Sequence, residues 1–506
     1  MYNIYIIEDE IFKMEDTMMK KRILTAAMLA ALLLSAAACG DTDASQAGTT
    51  GMESGTAAPA ETEIPKLPES VEQIDMNGFE FKIKHFSQEW LSWAKNTLDV
   101  EEQDGDMFND AIYDRNRTIE ELFNCTITVE SVKNIAAGDV QTEVMAGDSN
   151  YDIWYNYDIW VLDAIAYLMP WENLVNVDLT QPWWNPMATD VFNIGGSHYA
   201  AAGNFSLSVL SRASGFTFNK SVYSELGMEK SLYDIVADNE WTVDKMQEIC
   251  ILAYSDINGD GQMDENDRYG VNGSYKELYA RWILGSGINY VTIDDEGFPV
   301  FTLPSDSKAI DKIQHIYELF SDPRTFNPND GSIAETSGKG SLEKNTLLFN
   351  NDNLIGLENK RNLDIDIGFV PTPKYDASQD HYYAPSFGAE IAVLLKTLPE
   401  DRWENVGILM ESLCYYSDQF VIPMYKEVLL KTKYARDSES EAMIDIIIDS
   451  VSFEFGLNAW QNTVANPFVE GAIVKSDGNI ASTLEKMTKS VETQIKKLRT
   501  VIEDNQ

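Results

Sequence analysis

The sequence predicts an α/β protein, and three observations carry that prediction. Apolar patterns of period two alternate with patterns of period three to four along most of the 506 residues. Apolar residues make up 44% and aromatic residues 11%, too many for a disordered chain and enough for a large buried core. A wholly apolar run, Ile391-Ala-Val-Leu-Leu395, marks where the chain re-enters a core late in its course. At roughly 150 residues per domain, the length allows two to three lobes.

The elements follow in order. Phe79-Glu-Phe-Lys-Ile-Lys-His-Phe86 alternates apolar and polar residues and reads as a strand. Asp106 to Phe123 carries Met107, Ile112, Ile119, Leu122 and Phe123 at helical spacing. Thr126-Ile-Thr-Val-Glu is a second strand, Val140–Met145 a short helix and Tyr151-Asp-Ile-Trp-Tyr a third strand. Such an alternation points to a parallel sheet with covered faces, open to ligands at the carboxyl ends of its strands. A second body begins near Arg212-Ala-Ser-Gly-Phe-Thr-Phe-Asn-Lys220. Thr242 can cap a helix reaching about Tyr254, and Asp306–Phe320 is an amphipathic helix with Ser305 as its cap. Asp364-Ile-Asp-Ile-Gly-Phe-Val reads as a strand, and Ile480 to Ile502 as a long closing helix.

The N-terminus reads as an address. Lys20, Lys21 and Arg22 precede an apolar run from Ile23 to Ala38, the order of a secretory signal, and the run is short for a membrane span. Met18 and Met19 stand just before the lysines, so residues 1–17 read as an upstream extension of a signal peptide that ends at residue 38. Ser35-Ala-Ala-Ala-Cys39-Gly40 resembles a bacterial lipobox, with Ala36 where Leu is usual, and makes Cys39 the lipidation site; plain cleavage near Ala38 is the other reading. Residues 39–74 are poor in large apolar side chains and form a flexible polar tether. Net charge is −44, which repels phosphate backbones and anionic lipid, so nucleic acid is excluded and the membrane is met through the lipid anchor only. Cys125, Cys250 and Cys414 have no CxxC spacing and read as buried lone thiols.

The most specific motif is Asp256-Ile-Asn258-Gly-Asp260-Gly261-Gln262-Met-Asp264-Glu-Asn-Asp267. Oxygen side chains fall at loop positions 1, 3, 5, 9 and 12 with Gly at 6, the EF-hand spacing for Ca²⁺, and Gln262 at position 7 can offer its carbonyl. Asp267 stands where a bidentate Glu is usual, which lowers the expected affinity. Arg268-Tyr-Gly-Val then looks extended, so the loop is a lone structural clip; an acidic turn without metal is the alternative. No organic cofactor is expected.

The lipobox, the opening strand, Phe216-Thr-Phe-Asn-Lys220, Glu240-Trp-Thr-Val-Asp-Lys-Met and Ile367-Gly-Phe-Val-Pro-Thr-Pro373 together resemble a bacterial extracellular solute-binding protein of family 1, the sugar-binding group. The resemblance covers about residues 75–506 and implies a type 2 periplasmic-binding-protein fold of two α/β lobes joined by crossing strands. It places the first lobe at 75–208, returning at about 385–430, and the second at 209–384 with the C-terminal helices 431–506. It further implies a monomer, anchored outside the cell membrane, that delivers a carbohydrate to the permease subunits of an ABC importer. Eleven Trp and 23 Tyr suit such a ligand, since sugar C–H faces stack on aromatic rings. Where that fold puts cleft loops stand Trp90, Tyr155, Asp158, Trp282, Asn351, Asp352 and Phe387, the candidate ligand residues.

Catalysis finds little support. The four His, at 85, 198, 315 and 381, make no HExxH or HxH spacing, and no GxSxG elbow or phosphate loop occurs. Abundant Asp and Glu leave a glycoside hydrolase open as an alternative, as is a receptor for a non-sugar solute such as a peptide.

Overall fold

The computed structural model describes residues 67, 74–86, 97–132, 135–326, 339–360, 363–427, 438–476 and 478–505. The signal segment, Cys39, most of the tether and Trp90 lie outside the described residues. The folded body is Pro65–Gln506. Among the described residues, no helix is long and apolar enough to cross a membrane.

The body holds two principal sheets. The strands, in chain order, are β1 (Phe79–Phe86), β2 (Cys125–Val132), β3 (Ile153–Tyr157), β4 (Leu168–Met169), β5 (Ser214–Asn219), β6 (Tyr269–Asn272), β7 (Leu347–Asn353), β8 (Ile367–Pro371) and β9 (Glu390–Leu395). The first sheet has the order β2-β1-β3-β9-β4 and the second β8-β5-β7-β6. β1 runs parallel to β2 and β3, but β9 pairs antiparallel with β3, Glu390 opposite Tyr157. The first sheet is therefore mixed rather than parallel, because a strand from late in the chain returns into its middle.

β9 explains its own composition. All six residues are buried. Ile391, Val393 and Leu395 point into the large core shared with the second sheet, while Ala392 and Leu394 point into the core formed by Phe81, Ile83 and Tyr155. A strand covered on both faces has no polar side to show, so the alternation disappears.

The main helices are α1 (Met107–Phe123), α2 (Ala137–Ala146), α3 (Asp158–Ala164), α4 (Val243–Ala253), α5 (Tyr275–Gly285), α6 (Ser307–Phe320), α7 (Trp403–Tyr416), α8 (Ser438–Asp449) and α9 (Ile480–Glu503). Asp106 caps α1 by accepting from the amides of Phe108 and Asn109, and Thr242 caps α4 through the Lys245 amide. The cap of α6 is Asp306, whose carboxylate accepts from the Ala309 amide at 3.0 Å, and not Ser305, which ends a preceding 3₁₀ turn. Cys125, Cys250 and Cys414 are buried free thiols.

Two segments cross between the sheets. Ala201 bridges Ala392 in the first sheet, and the chain then runs to Ser214, the first residue of β5 in the second. In the other direction, the chain leaves β8 at Pro371 and reaches β9 at Glu390. The crossings are laced together: Ser386 donates to the Val209 carbonyl at 2.8 Å and the Glu390 amide to Ser208 at 2.9 Å, and Ser214 donates to the Pro385 carbonyl. Gly203 in the first crossing has Cys414 and Trp184 so close that a Cβ would sit 2.3 Å from the Cys414 sulfur.

Candidate ligand-binding site

The strand directions bring particular ends together. β3 ends at Tyr157 where β9 begins at Glu390, and the final residue of β7, Asn353, pairs with the first of β5, Ser214. Pro371 at the end of β8 pairs with Gly215, and Asn350 of β7 pairs with Asn272 at the end of β6. The crossings leave from these ends, so side chains at the carboxyl ends of β3, β6, β7 and β8 converge on one region. Open α/β sheets bind ligands there.

Asp158 opens α3 and is fully buried. Its carboxylate accepts from the Gly388 amide at 3.0 Å, the Asn458 side chain at 2.9 Å and its neighbour Ile159's amide at 2.8 Å. Burial lifts the carboxyl to about 6 against the pull of these donors and of Arg212. Arg212 donates through Nε to the Phe387 carbonyl at 2.6 Å. Gly388 has φ +69, and a Cβ there would lie 3.1 Å from the Arg212 guanidinium, so the close approach suits glycine alone. Glu390 is buried within range of Arg212, and burial pushes its carboxyl up to about 8.

From the second sheet, Asn351 accepts from Arg281 and donates to Glu277 at 2.9 Å. Arg281 is buried on α5, which pulls its guanidinium down to about 10, and lies 5.5 Å from the centre of the Phe387 ring. Asp352 accepts from Thr217 at 2.7 Å and pairs with Lys360 at 2.6 Å.

The structure thus gathers Asp158, Asn351, Asp352 and Phe387 around two arginines and separates the other described candidates from them. Asn351 and Asp352 lie inside β7, which runs to Asn353, rather than after its end. Tyr155 lies within β3 and not at its end; it is 2% exposed and packs edge-on against Phe205 at 6.2 Å in the first-sheet core. Trp282 is 0% exposed and stacks on Phe320 with ring centres 3.6 Å apart. Both rings are spent on the core and present no face to a solute. Arg212, Lys276, Glu277, Arg281, Glu390 and Asn458 were not among the sequence candidates. Two carried a signal: Arg281 interrupts the apolar stretch Leu278–Leu284, and Glu390 heads an apolar strand. A charge in such surroundings must find a partner.

Cavities lie elsewhere. One of about 180 Å³ is lined by Asn204, Ser206, Leu207, Leu210, Asp418 and Ile422, and one of about 480 Å³ by Met107, Asp110, Arg115, Gln419 and Phe420 among others. Neither contains a candidate ligand residue. Asp158, Arg281, Asp352 and Phe387 of the polar cluster are buried, while Arg212, Lys276, Glu277 and Asn351 are half-buried.

The loop Asp256–Asp267 follows α4 and is followed by β6, an extended segment. Gly261 at its sixth position has φ +77, as the sharp turn requires. Asp256 accepts from the amides of Gly259 and Gly261, Asn258 from Asp260 and Asp260 from Gln262. Asp267, shielded by its own loop, accepts from Ile257 and Asp264, which keeps its carboxyl below the usual range. The donor chemistry is that of a Ca²⁺ loop, all hard oxygen. Among the described residues, however, no three His, Cys, Asp or Glu side chains are gathered so as to hold a metal ion.

No protein-family model and no curated protein matches the chain. Solved structures do, and they are two-lobed α/β solute-binding proteins. The cyclic alpha-maltosyl-1,6-maltose binding protein from Arthrobacter globiformis is 13% identical, with 83% of this chain and 100% of that one covered and a TM-score of 0.54. The sugar-binding protein MalE from Xanthomonas citri is 13% identical, covering 84% and 99%, with a TM-score of 0.54. A cyclo/maltodextrin-binding protein solved with maltotetraose is 13% identical, covering 82% and 97%, at a TM-score of 0.53. At this identity the likeness is one of fold.

Proposed function

We propose that this chain is an extracytoplasmic solute-binding protein that captures a carbohydrate, probed first as an oligosaccharide, and passes it unaltered to an ABC importer. The observation that carries the reading is the fold together with its polar cluster. Two sheets joined by laced crossings bring Asp158, Asn351 and Asp352 to the strand ends where such folds take ligands. Sugar hydroxyls lose their water hydrogen bonds on burial, and these side chains replace them. Phe387, held between Arg212 and Arg281, supplies the apolar face. Much of the cluster is buried, so in this reading a solute enters when the two sheets part and favours closure through contacts made only in the closed form. The N-terminal pattern ending at Cys39 supports a lipid anchor. Spacing and donor chemistry support Ca²⁺ at Asp256, Asn258, Asp260, Gln262, Asp264 and Asp267, where the ion would draw the carboxylates inward.

The test is to incubate the full chain with malto-oligosaccharides and other glycans while following intrinsic tryptophan fluorescence and reducing ends. Capture gives a saturable fluorescence change and intact ligand. New reducing ends would establish a glycoside hydrolase, and binding of peptides with every sugar failing would keep the fold and cancel the ligand class.

A further inference from the structure

Arg212 stands within electrostatic reach of two other cationic side chains at the strand ends. Lys276, in the first turn of α5, and Arg281, further along it, each have their charged form disfavoured first by burial and then by Arg212. Arg212 and Arg281 also flank one residue, the first donating to the Phe387 carbonyl at 2.6 Å and the second lying 5.5 Å from its ring centre. Arg281 is buried while Arg212 and Lys276 are half-buried, and like charges that are partly withdrawn from water repel more strongly than at the surface and call for a counter-charge.

The resident anions are already engaged. Asp158 accepts three hydrogen bonds, Glu277 accepts from Asn351, and Asp352 is paired with Lys360. Glu390 is buried beside Arg212, and burial disfavours its charged form. Arg212 and Lys276 share Asp158 and Glu277 as neighbouring acids, and Glu277 lies 3.8 Å from Arg281. Among the described residues Lys276 makes no hydrogen bond or ion pair, and the buried Nε of Arg281 has no partner. Cationic atoms left without a partner at the strand ends, in a chain whose net charge is −44, are placed to receive an anionic group.

Resting on the capture reading, we propose that the solute is an acidic saccharide of the uronate class, its carboxylate received among Lys276, Arg281 and Arg212. A guanidinium fork matches a planar carboxylate in two parallel hydrogen bonds, and the amide-rich start of α5 adds its own positive end.

Calorimetry on the full chain tests this with trigalacturonate against its fully methyl-esterified form, which keeps the rings and linkages and removes the charge. The free acid is expected to bind at least about tenfold more tightly, with affinity falling as salt rises. Lys276→Gln should bring the two ligands close to equal affinity, and Arg281→Lys, which keeps charge but loses the fork, should weaken the acid as well. Equal or tighter binding of the ester overturns the inference and leaves capture standing. A sulfated galactose oligomer binding where trigalacturonate fails overturns the carboxylate assignment. If no saccharide of any charge binds, the capture reading falls too.

Discussion

Asp158 and Asn458, 300 positions apart in the chain, meet in a buried hydrogen bond of 2.9 Å. The same Asn458 side chain donates to the Ser386 carbonyl at 2.7 Å, and the Gly388 amide donates to Asp158 at 3.0 Å. A residue of the C-terminal segment and the first residue of α3 thus grip the second crossing from both sides. Asn458→Ala leaves a buried carboxylate and a carbonyl each short of a donor, at a cost of about 2–4 kcal/mol. The urea midpoint reports it. A shift below about 0.5 kcal/mol would mean that the crossing holds without this pair.

Three buried acids set a pH dependence. Burial raises Glu390 from an ordinary 4.5 to about 8, Glu454 to about 7 and Asp158 to about 6. The folded chain then binds more protons than the unfolded one above the ordinary carboxyl values, so stability falls as pH rises through this window. Melting temperature should drop between pH 5 and pH 8. Glu390→Gln should shallow that slope, and an unchanged slope would remove Glu390 as its source.

Trp282 separates core from ligand platform. As a ring stacked on Phe320 in the core, its replacement by Ala should cost about 3–5 kcal/mol of stability. A platform would instead lose affinity and keep its melting temperature. Chemical denaturation and ligand titration of Trp282→Ala decide between them.

Calcium that binds only the folded form stabilises by RT ln(1 + [L]/Kd), about 2.7 kcal/mol at 100 times Kd. Thermal melts with Ca²⁺ and with EGTA should differ accordingly, and Asp260→Ala should erase the difference. Identical melts in both would assign the loop to a turn held by its own hydrogen bonds.

Cys39→Ala should move the protein from the membrane fraction to the soluble one. Mass spectrometry finding an unmodified Cys39 on a soluble wild-type protein would end the lipid-anchor reading.

Local patterns made much of this fold legible. The period-two run at Phe79–Phe86 is β1 residue for residue, and the helical spacing after Asp106 is α1 with that residue as its cap. These elements are decided by residues close together in the chain. The antiparallel return of β9 was not legible as a direction, because Ile391–Leu395 says only that both faces are covered. The polar cluster was legible only in part for the same reason. Asp158 and Asn351 could be placed from nearby strands, whereas Arg212 arrives on the first crossing, Arg281 from α5 and Asn458 from the C-terminal segment. Tyr155 and Trp282 show the converse error: aromatic type and approximate position cannot tell a ring that faces a solute from one stacked on Phe320.

The place of β9 has a further consequence for how the protein comes into being. In the first sheet it lies between β3 and β4, strands that precede it by some two hundred residues of synthesis. Until Leu395 has been made, the edges of β3 and β4 have no partner, and pairings between such distant parts of a chain form slowly. Unpaired edges are also where nascent chains mispair or aggregate. For a protein proposed to leave the cytoplasm, that delay works in its favour. The first sheet cannot close until Leu395 of the 506 residues has been made, so the chain stays threadable through a narrow channel and folds on the far side.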